Sequence, residues 1–197
     1  MITSYKLFEK IQIEEHLKKR GIDPEKTRII IDKESQDVFF FLYNLSGQMV
    51  GYQKYNPNYP KTGQNTVSDP RMVKYYNYIT EEERGRMIAV WGLESLKMTD
   101  KYFFIVEGIF DAARIHQAGH PAIAMLCNNP NEQTKEWLKT LPHTKIVIYD
   151  NDGNKDSLKL KSCGEHSFTV ESGKDMNDLT AEEAKIYCDK IINDLFV

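Results

Sequence analysis

The sequence contains few cysteines, and none of them stands in a metal-binding or disulfide pattern. Its 197 residues include three cysteines, Cys127, Cys163 and Cys188, with no C-x-x-C spacing. This spacing argues against a zinc ribbon and against a disulfide scaffold, and it is typical of a reducing cytoplasm. His116 and His120 stand four residues apart, as zinc ligands do, but no glutamate completes that motif. We therefore expect them to form a surface pair.

Long apolar segments are also lacking. No run approaches the ~20 residues that a membrane helix needs, and the first ten residues lack the apolar centre of a signal peptide. The G-x-x-x-x-G-K-[ST] phosphate loop is absent as well, so a fused helicase motor is not expected. With 41% hydrophobic residues, the chain can bury a core. We expect a cytoplasmic protein with no membrane association.

The formal net charge of −3, from 26 basic and 29 acidic residues, points to no partner by itself. Residues 48–78 differ, because six of the chain's 11 tyrosines lie there and Asp69 is the one acidic residue among several basic ones. The basic residues are Lys54, Lys61, Arg71 and Lys74. Cations interleaved with aromatic rings suit a nucleic-acid strand, since phosphates meet the charges and bases stack on the rings. The simpler alternative is a soluble loop region with tyrosines packed at its edges.

The first hundred residues are predicted to form a small α+β unit. A helix capped by Ser4 and closed at Gly21 is followed by β-branched and aromatic runs, with a turn at Gly47 between two of them. Residues 56–69 are dense in Pro, Gly, Asn and Ser, and this composition predicts a loop. Strands are expected over 28–32, 37–44 and 48–55, and a short helix over 80–86.

From residue 100 the pattern changes to four short apolar runs that alternate with helical segments. The runs are YFFIV, AIAML, KIVIYD and HSFTV. Strands that are apolar throughout and alternate with helices indicate a parallel sheet that is covered on both faces. Asn129 is expected to cap one helix with Pro130 at its first position, and Thr180 and Glu183 have the spacing of a capping box.

We therefore predict an α/β fold, with a parallel sheet that carries helices on both faces and a smaller α+β subdomain before it. The expected divisions are an N-terminal subdomain over 1–99, the parallel-sheet domain over 100–180, and a C-terminal helix over 181–197 that packs on that domain.

Three carboxylates follow the ends of two predicted strands. Glu107 ends one strand, and Asp150 ends another, with Asp152 two residues further on. Ligands of parallel sheets bind beyond the carboxyl ends of the strands, so we expect these side chains to meet at one edge. Such a group repels itself unless protons or a cation neutralise it, and an all-oxygen cluster prefers Mg²⁺ or Mn²⁺. Asp175 would reach the same edge if the fourth run joins the sheet.

Each part of this cluster also has a simpler interpretation. A glutamate before a helix is a favourable charge at the positive end of the helix dipole. The D-x-D-x-N of residues 150–154 is similar to a calcium loop, but Lys155 stands where that loop needs glycine. The turn at 171–179 is by itself an ordinary solvated turn. We prefer the metal site because two strand ends supply it together.

Two motifs resemble the Toprim domain, which bacterial-type primases, topoisomerases and several nucleases share. The stretch VEGIFDAARIHQAG resembles the primase segment that holds the catalytic glutamate. The resemblance places that glutamate on Glu107 and a downstream aspartate on Asp111. The stretch YDND is similar to the D-x-D metal pair and places it on Asp150 and Asp152.

The resemblance continues on both sides of these motifs and covers roughly residues 36–180. GKDMNDL is similar to a K-D-x-N-D/E segment of phage and bacterial primases, with Lys174 as an accessory residue and Asp175 as a further acidic one. LYNLSGQMVGYQKY resembles the start of the primase polymerase core, and KYYN its K-Y-x-N motif. The resemblance implies that Lys54, Lys74 and Asn77 bind template or nucleotide phosphates. The basic residues of 48–78 add Lys61 and Arg71 to the predicted nucleotide- and nucleic-acid-binding residues.

The sequence also departs from the primase pattern. Full primases carry a zinc-binding domain, and no cysteine set in this sequence could build one. The usual Gly-Thr-like turn after the second strand is replaced by CNNPN, and D-x-D-x-x-G becomes DNDGNK with a displaced glycine. The small core resembles a phage or mobile-element version.

The resemblance implies a primase-like nucleotidyl transferase that makes RNA primers from nucleoside triphosphates on single-stranded DNA. Asp150 and Asp152 would bind Mg²⁺ or Mn²⁺, Glu107 would act as ligand or as base, and Asp175 would support a second ion. A helicase or another replication protein in trans is the expected partner. Two alternatives stay open: a Toprim nuclease that uses water as nucleophile, and a non-catalytic nucleic-acid-binding or inhibitory protein that kept the fold.

Overall fold

One half of the molecule is a four-stranded antiparallel sheet that follows a short helix. The computed structural model describes residues 12–44, 46–61, 69, 71–80, 89–127, 129–150, 157–171 and 173–196. The elements of this half are α1 (Ile13–Lys19), β1 (Ile29–Asp32), β2 (Asp37–Tyr43), β3 (Met49–Tyr55) and β4 (Tyr75–Ile79), and the strands pair in the order β1-β2-β3-β4. In β2 the alternating residues Val38, Phe40 and Leu42 are fully buried, which is the pattern of a sheet with one face on the core. The predicted strands are confirmed.

Two glycines close turns in this half, as the sequence predicts. Gly21 follows α1 with a φ of 88°, a left-handed conformation that glycine adopts without a Cβ clash. The backbone N–H of Ile22 then donates to the carbonyl oxygen of Leu17 at 3.0 Å, which satisfies the helix end. Gly47, with a φ of 71°, forms the turn between β2 and β3. The predicted helix cap at Ser4 and the predicted helix over 80–86 lie outside the described residues, apart from Thr80.

The other half is a parallel sheet that carries helices on both faces. Its elements are β5 (Tyr102–Val106), α2 (Ile109–Gln117), β6 (Ala122–Ala124), α3 (Glu132–Thr140), β7 (Thr144–Tyr149), a 3-10 helix (Ser157–Cys163), β8 (His166–Thr169), a short 3-10 helix (Met176–Asp178) and α4 (Ala181–Phe196). The strand order is β6-β5-β7-β8, and all three pairings are parallel. The predicted α/β fold with a covered parallel sheet and a smaller antiparallel part is confirmed.

The two faces of the parallel sheet pack into different apolar clusters. Phe104 and Ile148 share a cluster with α2 and α4, and Phe103 and Val147 share one with α3 and the Ser157–Cys163 helix. The first cluster also includes Phe40 of the antiparallel sheet, whose ring lies 5.7 Å from that of Phe110. The two halves therefore share one core. The predicted division at residue 99 stays a prediction.

Side-chain contacts correct one predicted helix cap and confirm another. The cap of α3 is Asn131 and not Asn129, because the side chain of Asn131 accepts the backbone N–H of Thr134 at 2.8 Å. The predicted capping box before α4 is present, since Thr180 and Glu183 exchange side-chain to backbone hydrogen bonds.

His116 and His120 are not a surface pair. His116 stacks on Trp91 with ring centroids 5.3 Å apart, and its Nε2 donates to the carbonyl oxygen of Ala122 at 2.9 Å. His120 contacts the hydroxyl of Tyr102 at 2.8 Å and the carboxylate of Asp189 at 3.1 Å. Both histidines therefore hold structural elements together. Among the described residues, no helix has the length and apolar character that crossing a bilayer requires.

Candidate active site

Glu107 lies in the turn between β5 and α2. Backbone hydrogen bonds connect this turn to the residues that follow β6. The N–H of Leu126 donates to the carbonyl oxygen of Glu107 at 2.8 Å. Leu126 has a φ of 59°, a left-handed conformation that costs a residue other than glycine about 1 kcal/mol. Gly108 is required for space, because a Cβ there would lie 2.6 Å from Oδ2 of Asp111. The E-G-x-x-D motif is thus a tight turn with one carboxyl packed against it.

Glu107 faces a cleft between the two sheets with a volume of about 450 Å³. Its described lining consists of carboxylates from the parallel half, polar and basic side chains from the antiparallel half, and a few apolar residues. These are Arg20, Gln53, Lys61, Tyr75, Asn77, Glu107, Gly108, Ile109, Phe110, Asp111, Leu126, Asp150 and Asp175. The structure therefore brings the predicted residues Glu107, Asp111, Asp150 and Asp175 to one place. Asp152 lies outside the described residues.

The four carboxyl groups come from three separate parts of the fold. Glu107 and Asp111 belong to the β5–α2 junction, and Asp150 follows the last residue of β7. Asp175 caps the Met176–Asp178 helix, where its side chain accepts the N–H of Asp178 at 2.9 Å. The carboxyl ends of parallel strands share one edge of a sheet, which explains why residues so distant in sequence meet.

Asp111 differs from the other three carboxyl groups because it is almost fully buried. Burial, followed by the negative charges of Asp175 and Asp150, raises its pKa from 3.8 to about 8. One oxygen accepts the backbone N–H of Asn177 at 3.1 Å. Asp111 is therefore protonated at neutral pH, and its pKa responds to two of the carboxylates that line the cleft.

The cleft can be tested as a site for a hard divalent cation. No three Asp, Glu, His or Cys side chains of the described ranges are close enough to hold one ion together. Mg²⁺, however, usually keeps several waters and is bound by one or two carboxylates plus substrate phosphates. Glu107, Asp150 and Asp175 supply oxygen donors of this kind in a single cleft. The residues present fit a hydrated ion better than a closed metal cage.

A basic residue that the sequence analysis missed also lines the cleft. Arg20, the C-cap of α1, places its guanidinium carbon 3.6 Å from the centroid of the Phe110 ring. Its Nε donates to Oδ1 of Asn177 at 2.7 Å, and its Nη1 donates to the hydroxyl of Tyr75 at 3.1 Å. These contacts hold a charged group in place at the cleft. No local pattern marks Arg20, because its partners are distant in sequence.

The predicted basic residues differ in their position relative to the cleft. Lys61 lines the cleft, and Lys74 is close enough to Arg20 and Lys61 that their charges, together with burial as the larger cause, lower its pKa. Lys54 is not among the described lining residues, and its Nζ lies 3.7 Å from Oδ2 of Asp37. In a strand, neighbouring side chains point to opposite faces, and Gln53 faces the cleft.

Arg71 and Lys174 also lie apart from the cleft. Arg71 is exposed and pairs with Asp69 at 2.8 Å, and Lys174 is exposed and lies 3.4 Å from Glu171. Neither is among the described residues that line the cleft. The predicted roles of Arg71 and Lys54 in binding nucleic acid, and of Lys174 as an accessory residue, remain predictions.

No family model and no curated protein matches the sequence. Solved structures are similar to it in fold. The Aquifex aeolicus primase, in a structure of its zinc-binding and RNA polymerase domains, is 19% identical, with 91% of this chain and 55% of that chain covered and a TM-score of 0.66. The RNA polymerase domain of Mycobacterium tuberculosis primase DnaG is 18% identical, with 91% and 62% covered and a TM-score of 0.59.

A DnaG primase catalytic domain bound to single-stranded DNA is 18% identical, with 90% and 63% covered and a TM-score of 0.60. The chain thus spans less than two thirds of the length of these primase structures. At such identities the likeness concerns the fold alone, which resembles that of primase catalytic domains.

Proposed function

We propose that the chain is a metal-dependent nucleotidyl transferase of the primase type, which joins ribonucleotides into a primer on single-stranded DNA. One observation carries the proposal: carboxylates of the parallel half and the basic side chains Arg20 and Lys61 line a single cleft. The similarity in fold to primase catalytic domains, one of them bound to single-stranded DNA, supports it.

Glu107, Asp150 and Asp175, with Asp152, are the residues that would hold Mg²⁺ or Mn²⁺. A bound ion of this kind polarises a phosphoryl group and neutralises charge that develops on it. Burial, followed by the negative charges of Asp175 and Asp150, raises the pKa of Asp111, and a cation bound in the cleft would relieve the repulsion from those two charges.

The protein's own groups would position the substrate and move the proton. The carboxylate of Glu107 would accept the proton of the attacking 3′-hydroxyl, because carboxylates are the available bases in the cleft. Arg20 and Lys61 would bind nucleotide phosphates, and Arg20 is held rigidly for this by Phe110 and Asn177. Lys74, whose charge is close to those of Arg20 and Lys61, would add to the positive potential that attracts the phosphates.

The wider setting follows from the resemblance in sequence. The parallel half would be a Toprim domain, the protein a phage-like primase of the cytoplasm, and a helicase or other replication protein its partner in trans. Nucleoside triphosphates and single-stranded DNA would be the substrates.

Synthesis of oligoribonucleotides from labelled nucleoside triphosphates on single-stranded DNA, with Mg²⁺ or Mn²⁺, tests the proposal. We expect template-dependent products, and we expect Glu107→Gln to lower their rate of formation by at least about 100-fold, as loss of a positioned acid–base group does. Glu15→Gln, in an exposed part of α1, is the matched control and should retain full activity.

A labelled DNA strand in the same reaction distinguishes the alternatives. Cleavage of that strand without synthesis would identify a nuclease. DNA binding with neither reaction, unchanged by Glu107→Gln, would identify a non-catalytic binding protein.

A further inference from the structure

Two amide side chains lie side by side on the antiparallel wall of the cleft. Gln53 of β3 and Asn77 of β4 are directly opposite each other in the strand register. The Nε2 of Gln53 donates to Oδ1 of Asn77 at 2.8 Å, and both residues line the cleft. The register of the two strands therefore builds a polar pair at a fixed place on the cleft wall.

This pair has hydrogen-bonding capacity that the described part of the chain does not use. The Oε1 of Gln53 and the Nδ2 of Asn77 have no other hydrogen-bond partner among the described residues. If both amides are turned over, so that oxygen and nitrogen exchange places, the pair still has one unused acceptor beside one unused donor. Gln53 is 7% exposed as a whole residue and Asn77 is exposed, so a ligand that enters the cleft would displace water from both amides. A ligand that matches the two amides replaces the hydrogen bonds to water, and a ligand that does not match leaves them unpaired.

The chemistry of the cleft separates this pair from the phosphate-binding groups. Arg20 and Lys61 carry the positive charge of the wall, and the amides are neutral. A neutral donor beside a neutral acceptor matches a hydroxyl group, which can accept from one and donate to the other at once. The pair is therefore suited to the nucleoside part of a nucleotide.

We propose that Gln53 and Asn77 recognise the 2′-hydroxyl of the incoming nucleotide and so select ribonucleotides. This inference rests on the proposed function, because an enzyme that copies a template must recognise its nucleotides by the sugar and not by one particular base. The base must change with the template, whereas the ribose is common to all four substrates. A site that hydrogen-bonds a hydroxyl rejects the analogue without it, because its polar groups are then left unpaired.

Nucleotide binding to the whole chain, measured by titration calorimetry with ATP and with dATP in Mn²⁺, tests the proposal apart from catalysis. We expect the wild-type protein to bind ATP about tenfold more tightly than dATP, the effect of one hydrogen bond to an otherwise unpaired group. Gln53→Met, which keeps the length of the side chain, should lower ATP affinity about tenfold and leave dATP affinity unchanged. Tyr78→Phe, at a position of β4 that faces away from Asn77, is the control and should change neither affinity.

Equal wild-type affinity for ATP and dATP, or an equal loss of both in Gln53→Met, overturns the proposal. The comparison of two nucleotides on the wild-type protein does not depend on the folding of any variant. Ribonucleotide preference without primer synthesis would leave this inference standing while the proposed function falls. Preference for dATP with primer synthesis intact would refute the role of Gln53 and Asn77 and leave the proposed function unaffected. The absence of nucleotide binding would refute both proposals.

Discussion

Substitution of Asp111 by asparagine should stabilise the protein at alkaline pH. The pKa of Asp111 is about 8 in the folded protein against 3.8 for the ordinary group, so the folded state binds the proton more tightly than the unfolded chain. A group of this kind lowers stability as pH rises from its unfolded pKa toward its folded pKa. At about 1.4 kcal/mol for each pH unit, the free energy of unfolding should fall by about 4 kcal/mol between pH 4 and pH 7 on account of this one carboxyl.

Asparagine removes the titration and keeps the shape of the side chain. Its amide oxygen can still accept the backbone N–H that Asn177 donates to Asp111 in the structure at 3.1 Å. We expect Asp111→Asn to exceed the wild type in unfolding free energy by about 5 kcal/mol at pH 8, and to differ little from it at pH 4.

Urea denaturation across this pH range, with a chelator present to exclude metal ions, measures both proteins. The informative quantity is the difference between the two stability curves, because it cancels the titration of all other groups. Asp194→Asn, in an exposed part of α4, is the control and should give a flat difference. If Asp111→Asn destabilises the protein at pH 8, or if the difference does not grow with pH, the buried and crowded state of this carboxyl is refuted.

Two further predictions concern structural contacts. Asn131→Ala should lower the free energy of unfolding by about 1 kcal/mol, because it removes the cap that accepts the N–H of Thr134. Asn129→Ala is the control and should have no effect. Equal losses of the two variants in urea denaturation would contradict the assignment of Asn131 as the cap. Burial lowers the pKa of His116 from 6.5, so stability should fall as pH drops below that value. The thermal midpoint of unfolding should therefore decrease between pH 7 and pH 5. It should decrease less in His116→Phe, whose ring can still stack on Trp91. Equal decreases in the two proteins would exclude His116 as a cause of the pH dependence.

Much of the parallel half could be predicted from the sequence because its signals are local. Strands buried on both faces must be apolar along their whole length, and helices must lie between them to connect parallel neighbours. The runs that become β5 and β7 show this pattern directly. The topology then places Glu107 and Asp150 at one edge of the sheet. Their common position in the cleft therefore follows from the strand order, without knowledge of side-chain packing.

The antiparallel wall of the cleft could not be predicted in the same way. Basic residues near the tyrosines suggested a binding surface, but in a strand a shift of one residue changes the face. Lys54 pairs with Asp37, while its neighbour Gln53 meets Asn77 in the cleft. The cap of α3 was misplaced for a similar reason, since only the hydrogen bond of Asn131 shows where that helix begins.

Hydrophobic pattern and chain topology are properties of the linear chain, so they predict the order of helices and strands and the sheet edge at which the acidic residues lie. Which groups line the cleft with the carboxylates, and which carboxyl keeps its proton, depends on how the two sheets pack. Arg20 reaches Asn177 across 157 residues of sequence, and the pKa of Asp111 depends on burial and on two distant aspartates. Coulomb energy and solvent exposure depend on distances in space, and those distances exist only once the two sheets have packed together.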